Sequence, residues 1–479
     1  MLQATGHIIH SGLDTPAPRS GAAEAFSSLR SQATRWQLYA VLAVLAFIGT
    51  TVITAGRMLT FNTTFNIATA DGKDYYVYLP SVLIDHDLDL SNQMVEHYGR
   101  EFEQRMIDNR TPRGYVADKY PIGVALTLAP PVLLSHAICV PMHRITGWKV
   151  FRPDGYALTY QLLVLAWLEF LGYCTLVMWD LLFVRYVCQD GRWVALGISC
   201  IALGSPYTFY FFTEPLVAHT SSIFWVTATI LLVVRMREDA DQNRIAAARV
   251  AELSFCVAMA LITRPTNVLL FPFLVWLLER ILSKHLLPRA MALLPLAIVC
   301  ASPVFLQMWV WHQMIGPWIT FSYEQHERFF FGTPRLWQTL ISTRNGLFVY
   351  SPMLLLATIG LIWQFITSRE ARRNEFVLCA LGSLVIIWYF NSAWWSWWFG
   401  DSWGGRAFTE MMIVFAIGMT WLIQHIATLR GDARRAWISA IGGSIIWTCI
   451  LVVMWYAKWV PRSDYLVPTW RVRDVNLRT

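Results

Sequence analysis

Charge is what this 479-residue chain has least of: Asp, Glu, Lys and Arg together make up 14% of it. A soluble chain carries roughly a quarter charged residues, so a water-facing surface over the whole length is excluded. Paired cysteine spacing is missing as well. The eight cysteines, at 139, 174, 188, 200, 256, 300, 379 and 449, lie in or beside apolar segments, which argues against a zinc site or a disulfide framework. Internal repeats and low-complexity stretches are absent. No short apolar core with a small-residue cleavage site stands at the N-terminus, so the first apolar helix is expected to act as its own uncleaved insertion signal. The net charge of +7 comes largely from loop arginines; in a membrane protein it sets orientation and does not imply nucleic-acid binding.

What is present is apolar length. Hydrophobic residues make up 56% of the chain, with long runs at 36–56, 157–186, 193–212, 220–234, 290–311, 346–366, 376–391, 407–427 and 437–456. A spanning helix needs about 20 such residues. Five connections are basic (185–192, 235–249, 280–289, 369–373 and 430–435), while those between them (213–219, Arg264-Pro265, 312–345 and 392–406) hold fewer basic and more aromatic residues. Positive charge stays cytoplasmic, which fixes the alternation.

That alternation denies a crossing to the apolar stretch 121–144, because one more span there would turn all five basic connections outward. Pro130-Pro131 interrupts it, and adjacent prolines remove donors and clash with the preceding turn. The expectation is one or two short helices on or in the outer leaflet. Eleven crossings follow, near 36–56, 157–186, 193–212, 220–236, 250–263, 266–281, 290–311, 346–366, 375–391, 407–428 and 436–456. The fold class is therefore an all-α polytopic bundle. Residues 1–35 read as a disordered cytoplasmic N-terminus, 36–456 as the transmembrane domain with 57–156 as a large first extracytoplasmic loop holding juxtamembrane helices, and 457–479 as a tail ending outside.

Polar residues worth explaining crowd the outer connections. Asp71, Asp74, Asp85, Asp87 and Asp89 put five carboxylates within nineteen residues, enough for a general base or a hard cation, or simply a solvated helix start with Asp71 as its N-cap. Lys119 either snorkels at the interface or binds a lipid phosphate. Glu214 and His219 share one short turn, where charge is costly unless paired or wet; Arg264 either snorkels or reaches an anion. Glu169 and Asp180 lie inside the second span, with structural partners the expected role. The loop 392–406 holds five tryptophans around Asp401, Gly404, Gly405 and Arg406, which reads as an interfacial belt or as a sugar-binding surface.

In order, these pieces resemble the GT-C superfamily of membrane glycosyltransferases, in the branch of protein O-mannosyltransferases and lipid A aminoarabinose transferases. That family has an Asp-Glu-x-x-Tyr motif after its first helix; Asp71-Gly-Lys-Asp-Tyr75 keeps the Asp and the Tyr but has Gly72 for the Glu. Lys119-Tyr-Pro121 resembles the family's Lys-Pro with one residue inserted, Glu214-Pro215 its second acidic turn, and Thr263-Arg-Pro265 its basic hairpin. The resemblance covers the organisation of about residues 36–285. It implies inverting transfer of a sugar from a polyprenyl-phosphate donor to a glycan, lipid or protein acceptor, on the periplasmic or extracellular side of a bacterial inner membrane. Asp71, Asp74 and Glu214 would be the catalytic carboxylates, with base duty open between Asp71 and Asp74. Lys119, Tyr75, His219, Arg264, Asp401 and Arg406 would bind substrate. No cofactor is required and a divalent cation is compatible. A transporter or flippase for a lipid-linked or anionic substrate is the competing expectation, and a non-catalytic membrane scaffold a third.

Overall fold

The computed structural model describes residues 21–61, 64–99, 108, 110–116, 118–322, 327–400, 402–457 and 459–460. Every regular element among them is helical. Among the described residues eight helices are long and apolar enough to cross a bilayer, Gly123–Thr146, to which the charge alternation denied a crossing, being one of them; the count rises to ten if each of two bent pairs is one span.

The first helix, α1 (Gly21–Phe61), has 41 residues and is about 60 Å long, some twice the hydrocarbon thickness. It begins inside the segment 1–35 expected to lack structure, and Gly21–Ala25 are mostly small residues that a helix accommodates. Two short helices follow, α2 (Asp71–Tyr76) and α3 (Ser91–Tyr98). Asp85, Asp87 and Asp89 hold this loop together: Asp85 accepts from the Asn92 side chain at 2.8 Å, Asp87 from Ser81 at 3.0 Å and Asp89 from Arg110 at 3.1 Å.

The stretch expected to break at Pro130-Pro131 is instead one uninterrupted helix, α4 (Gly123–Thr146). The reason is non-local. Pro131 leaves the Thr127 carbonyl without its helical donor, and the Trp167 indole N–H fills that place at 2.9 Å. Trp167 belongs to α5 (Leu158–Tyr186), and a second contact, His136 Nδ1 to Tyr160 Oη at 2.7 Å, sets the two helices antiparallel. Thr127 faces Trp167 and His136 faces Tyr160, so α4 lies beside the first half of α5 and runs on past its start.

The span expected at 193–212 bends by 75° between α6 (Gly191–Gly204) and α7 (Pro206–Phe212). Ser205 caps the second piece through a capping box with Thr208, and Pro206 occupies its first turn. Next come α8 (His219–Asp241), α9 (Ala247–Thr263), α10 (Phe271–Ser283) and a pair bent by 50°, α11 (Leu294–Cys300) with α12 (Ser302–Met314). The last four are α13 (Pro352–Thr367), α14 (Glu375–Ala393), α15 (Met412–Thr428) and α16 (Gly431–Tyr456).

The basic connections are tied to one another at one end of the bundle. Arg185 pairs with Glu238 at 2.9 Å, Arg237 with Glu375 at 3.0 Å, and Arg280 with Asp241. The Asn374 side chain donates to the Tyr186 carbonyl. Arg35 donates to both Asp180 oxygens at 2.8 and 3.0 Å, with Tyr39 adding a third bond at 3.0 Å. Asp180 thus has the structural partners expected of it. Glu169 has none: both its oxygens are buried without a hydrogen bond among the described residues. The C-terminal ends of α1 and α16 meet at the opposite end, where the Arg57 guanidinium lies 5.0 Å from the centre of the Tyr456 ring.

Candidate functional site

At that opposite end a cavity of about 280 Å³ is walled by Phe209, Tyr210, Trp403 and Trp455, with Arg57, Asp71, Glu214 and Arg406 as its charges. Local conformation aims two of these. Ala70, a non-glycine residue with φ of 48°, turns the chain into α2 so that Asp71 opens the helix, an uncommon and strained setting. Gly405, with φ of 63°, ends the tryptophan-rich loop and starts the turn Arg406–Met411. That left-handed φ favours glycine, and a side chain there would also crowd Leu347.

Arg406 Nη1 donates to Asp71 Oδ2 at 2.7 Å, and the two side chains stay 23% and 30% exposed. Burial pushes the Asp71 carboxyl up; the Arg406 charge and hydrogen bond, the Tyr120 hydroxyl and the Lys119 charge outweigh it and hold the group below the usual carboxylate range. Asp71 is therefore an ionised, reachable carboxylate. Asp74 differs. It accepts from Lys73 at 2.8 Å, is buried, and does not line the cavity. Its neighbour Asp118 accepts from the Tyr120 amide at 2.8 Å with one oxygen, and the other has no partner among the described residues. Burial and the Asp74 charge push the Asp118 carboxyl well up beside the Lys73–Asp74 pair.

Glu214 is saturated by protein. It accepts from Arg57, from Thr69 at 2.9 Å and from Tyr456 at 3.2 Å. One carboxylate thereby joins the end of α1, the turn before α2 and the end of α16 while also lining the cavity. His219 and Arg264 meet behind the cavity at Glu410. Arg264 Nη1 lies 2.7 Å from Glu410 Oε1 and 2.8 Å from His219 Nδ1. Lys119 pairs with Glu327 at 3.0 Å and sits over the Tyr120 ring, while Tyr75 packs 4.6 Å from Tyr120. Asp401 lies outside the described residues. Of the expected residues, then, Asp71, Glu214 and Arg406 share one cavity, while His219, Arg264, Lys119 and Tyr75 stand behind it and Asp74 turns away.

A second, apolar cavity of about 600 Å³ lies between α4, α5, α8, α9 and α12, lined by residues such as Leu126, Trp167, Trp225, Phe255, Met259 and Leu306. Met259 is five residues before Arg264 on the same helix end, and Gly123 packs against the Ile262–Thr263 backbone. The apolar space thus reaches toward Arg264, which lines neither cavity.

Arg57, Tyr210, Trp455, Tyr456 and Glu410 were not singled out from sequence. Arg57 and Tyr456 end apolar helices, where the pattern reads as ordinary interface residues, and Glu410 opens the apolar run 407–427. Among the described residues no group of three or more His, Cys, Asp or Glu is placed to hold a metal ion. No family model matches the chain, and no curated protein matches it either.

Proposed function

We propose that the chain is a polyprenyl-phosphate-dependent glycosyltransferase acting on the extracytoplasmic side of a bacterial inner membrane. The observation that carries this reading is Asp71. It is a half-buried, ionised carboxylate lining an aromatic cavity, 2.7 Å from an arginine. In the reaction the acceptor hydroxyl gives its proton to Asp71 as the oxygen attacks the anomeric carbon. The bond from that carbon to the phosphate oxygen breaks, and its electron pair leaves with the lipid phosphate. Attack from the face opposite the leaving group inverts the anomeric centre.

Arg406 and Arg264 are suited to the departing phosphate. Beyond their bonds to Asp71, Glu410 and His219, their other N–H groups have no partner among the described residues, and fixed cations aimed at developing charge lower the barrier. Trp403, Trp455 and Tyr210 wall the space left for a sugar, and the apolar cavity ending near Arg264 suits the lipid chain. The eleven-crossing topology belongs to the same reading. Its support is the gathering of basic connections at the end opposite Asp71, and the placement of α4 beside only the site-facing half of α5.

The test is transfer from a radiolabelled polyprenyl-phosphate sugar by the purified protein in lipid nanodiscs. It is paired with mass analysis of envelope glycans from cells carrying wild-type protein or Asp71→Asn. Glycans unchanged by loss of the gene, with no transfer to any envelope fraction, would sink the proposal.

A further inference from the structure

Glu410 has no part in the chemistry above, yet it is the most buried carboxylate beside the cavity. Its side chain is 1% exposed, and Oε1 lies 2.7 Å from Arg264 Nη1 and 3.2 Å from His219 Nδ1. Its other oxygen, Oε2, is buried without a hydrogen-bond partner among the described residues. Glu410 and Arg406 sit on one short turn, Arg406–Met411. A single rigid segment therefore carries one arginine of the site and the counter-charge of the other.

A half-satisfied buried carboxylate costs stability unless it serves something. Here it faces a guanidinium that commits only Nη1 to protein partners among the described residues, Glu410 and His219. We propose that Glu410 is a positioning residue that fixes Arg264 as a ligand of the substrate's phosphate and sets how tightly that anion is held. This rests on the glycosyl-transfer reading of the site. An arginine only 18% exposed and with no counter-charge would hold a phosphate tightly, and the lipid phosphate product would leave slowly. Oε1 holds the guanidinium in place while the anion is bound. The unoccupied Oε2 gives the freed N–H groups an acceptor as the anion departs, so release leaves the half-buried cation paired.

The test uses full-length protein in nanodiscs and farnesyl phosphate as the probe, with binding followed by calorimetry. Glu410→Gln keeps the shape and removes the charge. It should bind farnesyl phosphate about tenfold more tightly than wild type, since a unit charge near the anion is worth at least that factor. In transfer kinetics its kcat and donor KM should fall together, a split that loss of folded protein does not produce. Glu410→Asp keeps the charge and draws Arg264 back, so affinity should stay within about twofold while kcat drops. Glu410→Gln binding no tighter than wild type, or Glu410→Asp with wild-type kcat, overturns the inference; the Asp variant decides alone if the Gln variant does not fold. Failure of the wild-type protein to bind farnesyl phosphate, or binding indifferent to Arg264→Gln, instead overturns the reading of the site.

Discussion

Replacing Asp71 by Asn separates chemistry from stability at one atom. Asn is nearly isosteric and still accepts a hydrogen bond from Arg406, but it cannot take a proton. Loss of a positioned general base costs about 10²–10⁴-fold in rate, or roughly 3–5 kcal/mol on the barrier. The folding cost is smaller. A fully buried ion pair stripped of one partner loses about 3–5 kcal/mol, and an exposed one under about 1. With Asp71 30% and Arg406 23% exposed, about 1–2 kcal/mol is expected. The variant should therefore purify folded, with a slightly lowered melting temperature and transfer reduced at least a hundredfold, about the lower bound for a lost base. The pH profile gives a second reading. Because Asp71 is held below the usual carboxylate range, the stability it contributes is present above the unfolded value near 3.9 and is lost as pH falls through the lower folded value. Wild-type transfer should accordingly keep its base down to about pH 4. Arg406→Gln should move the acid limb upward, because it removes the charge that holds the carboxyl down. The assay is transfer of labelled sugar per unit of folded protein. Asp71→Asn within about threefold of wild type, with Asp74→Asn inactive, would refute the assignment and move base duty to Asp74.

Glu214→Gln should lower stability by about 2–4 kcal/mol, because it strips Arg57 of its partner inside a three-helix node. Unchanged thermal unfolding would return Glu214 to a chemical role. Asp118→Asn should raise the melting temperature at pH 7 and lose that gain near pH 4: a carboxyl pushed up by burial stabilises the fold only below its unfolded value and loses that contribution as pH rises through its folded one. A gain that is the same at both pH values would show that Asp118 does not titrate differently on folding. Glu169→Met should stabilise by about 1–3 kcal/mol in denaturation measurements, since both oxygens are buried without partners. A clear loss would mean the carboxyl has an acceptor or donor after all.

Why some of this could be read from sequence and some could not is a matter of how far apart the partners lie. Apolar length announces the long helices, and the Arg-rich connections that pair at one end already pointed to one face. Asp71, Glu214 and Arg406 stood out because charge just past an apolar run is costly unless it is used. What escaped was decided at long range. The continuity of α4 depends on an indole 40 residues away that satisfies a carbonyl freed by proline. Glu410 looks like an ordinary start to an apolar run, and its two partners lie 146 and 191 residues back. The 75° bend at Ser205 is the exception. Ser205, Pro206 and Thr208 spell a helix start locally, and the apolar run on either side hid it.

The choice between Asp71 and Asp74 shows the limit most clearly, because the two lie three residues apart on one short helix. Periodicity puts both on the same side, and no neighbouring residue distinguishes them. Arg406, 335 residues on, sits against the first, while Lys73 and Asp118 lie beside the second. Identical side chains are thus sorted by their surroundings into a half-buried anion lining the cavity and a buried one away from it. If that sorting is right, exchanging the surroundings should exchange the behaviour. Arg406→Gln should raise the Asp71 pKa, and Lys73→Met should destabilise the loop without changing the pH profile of transfer.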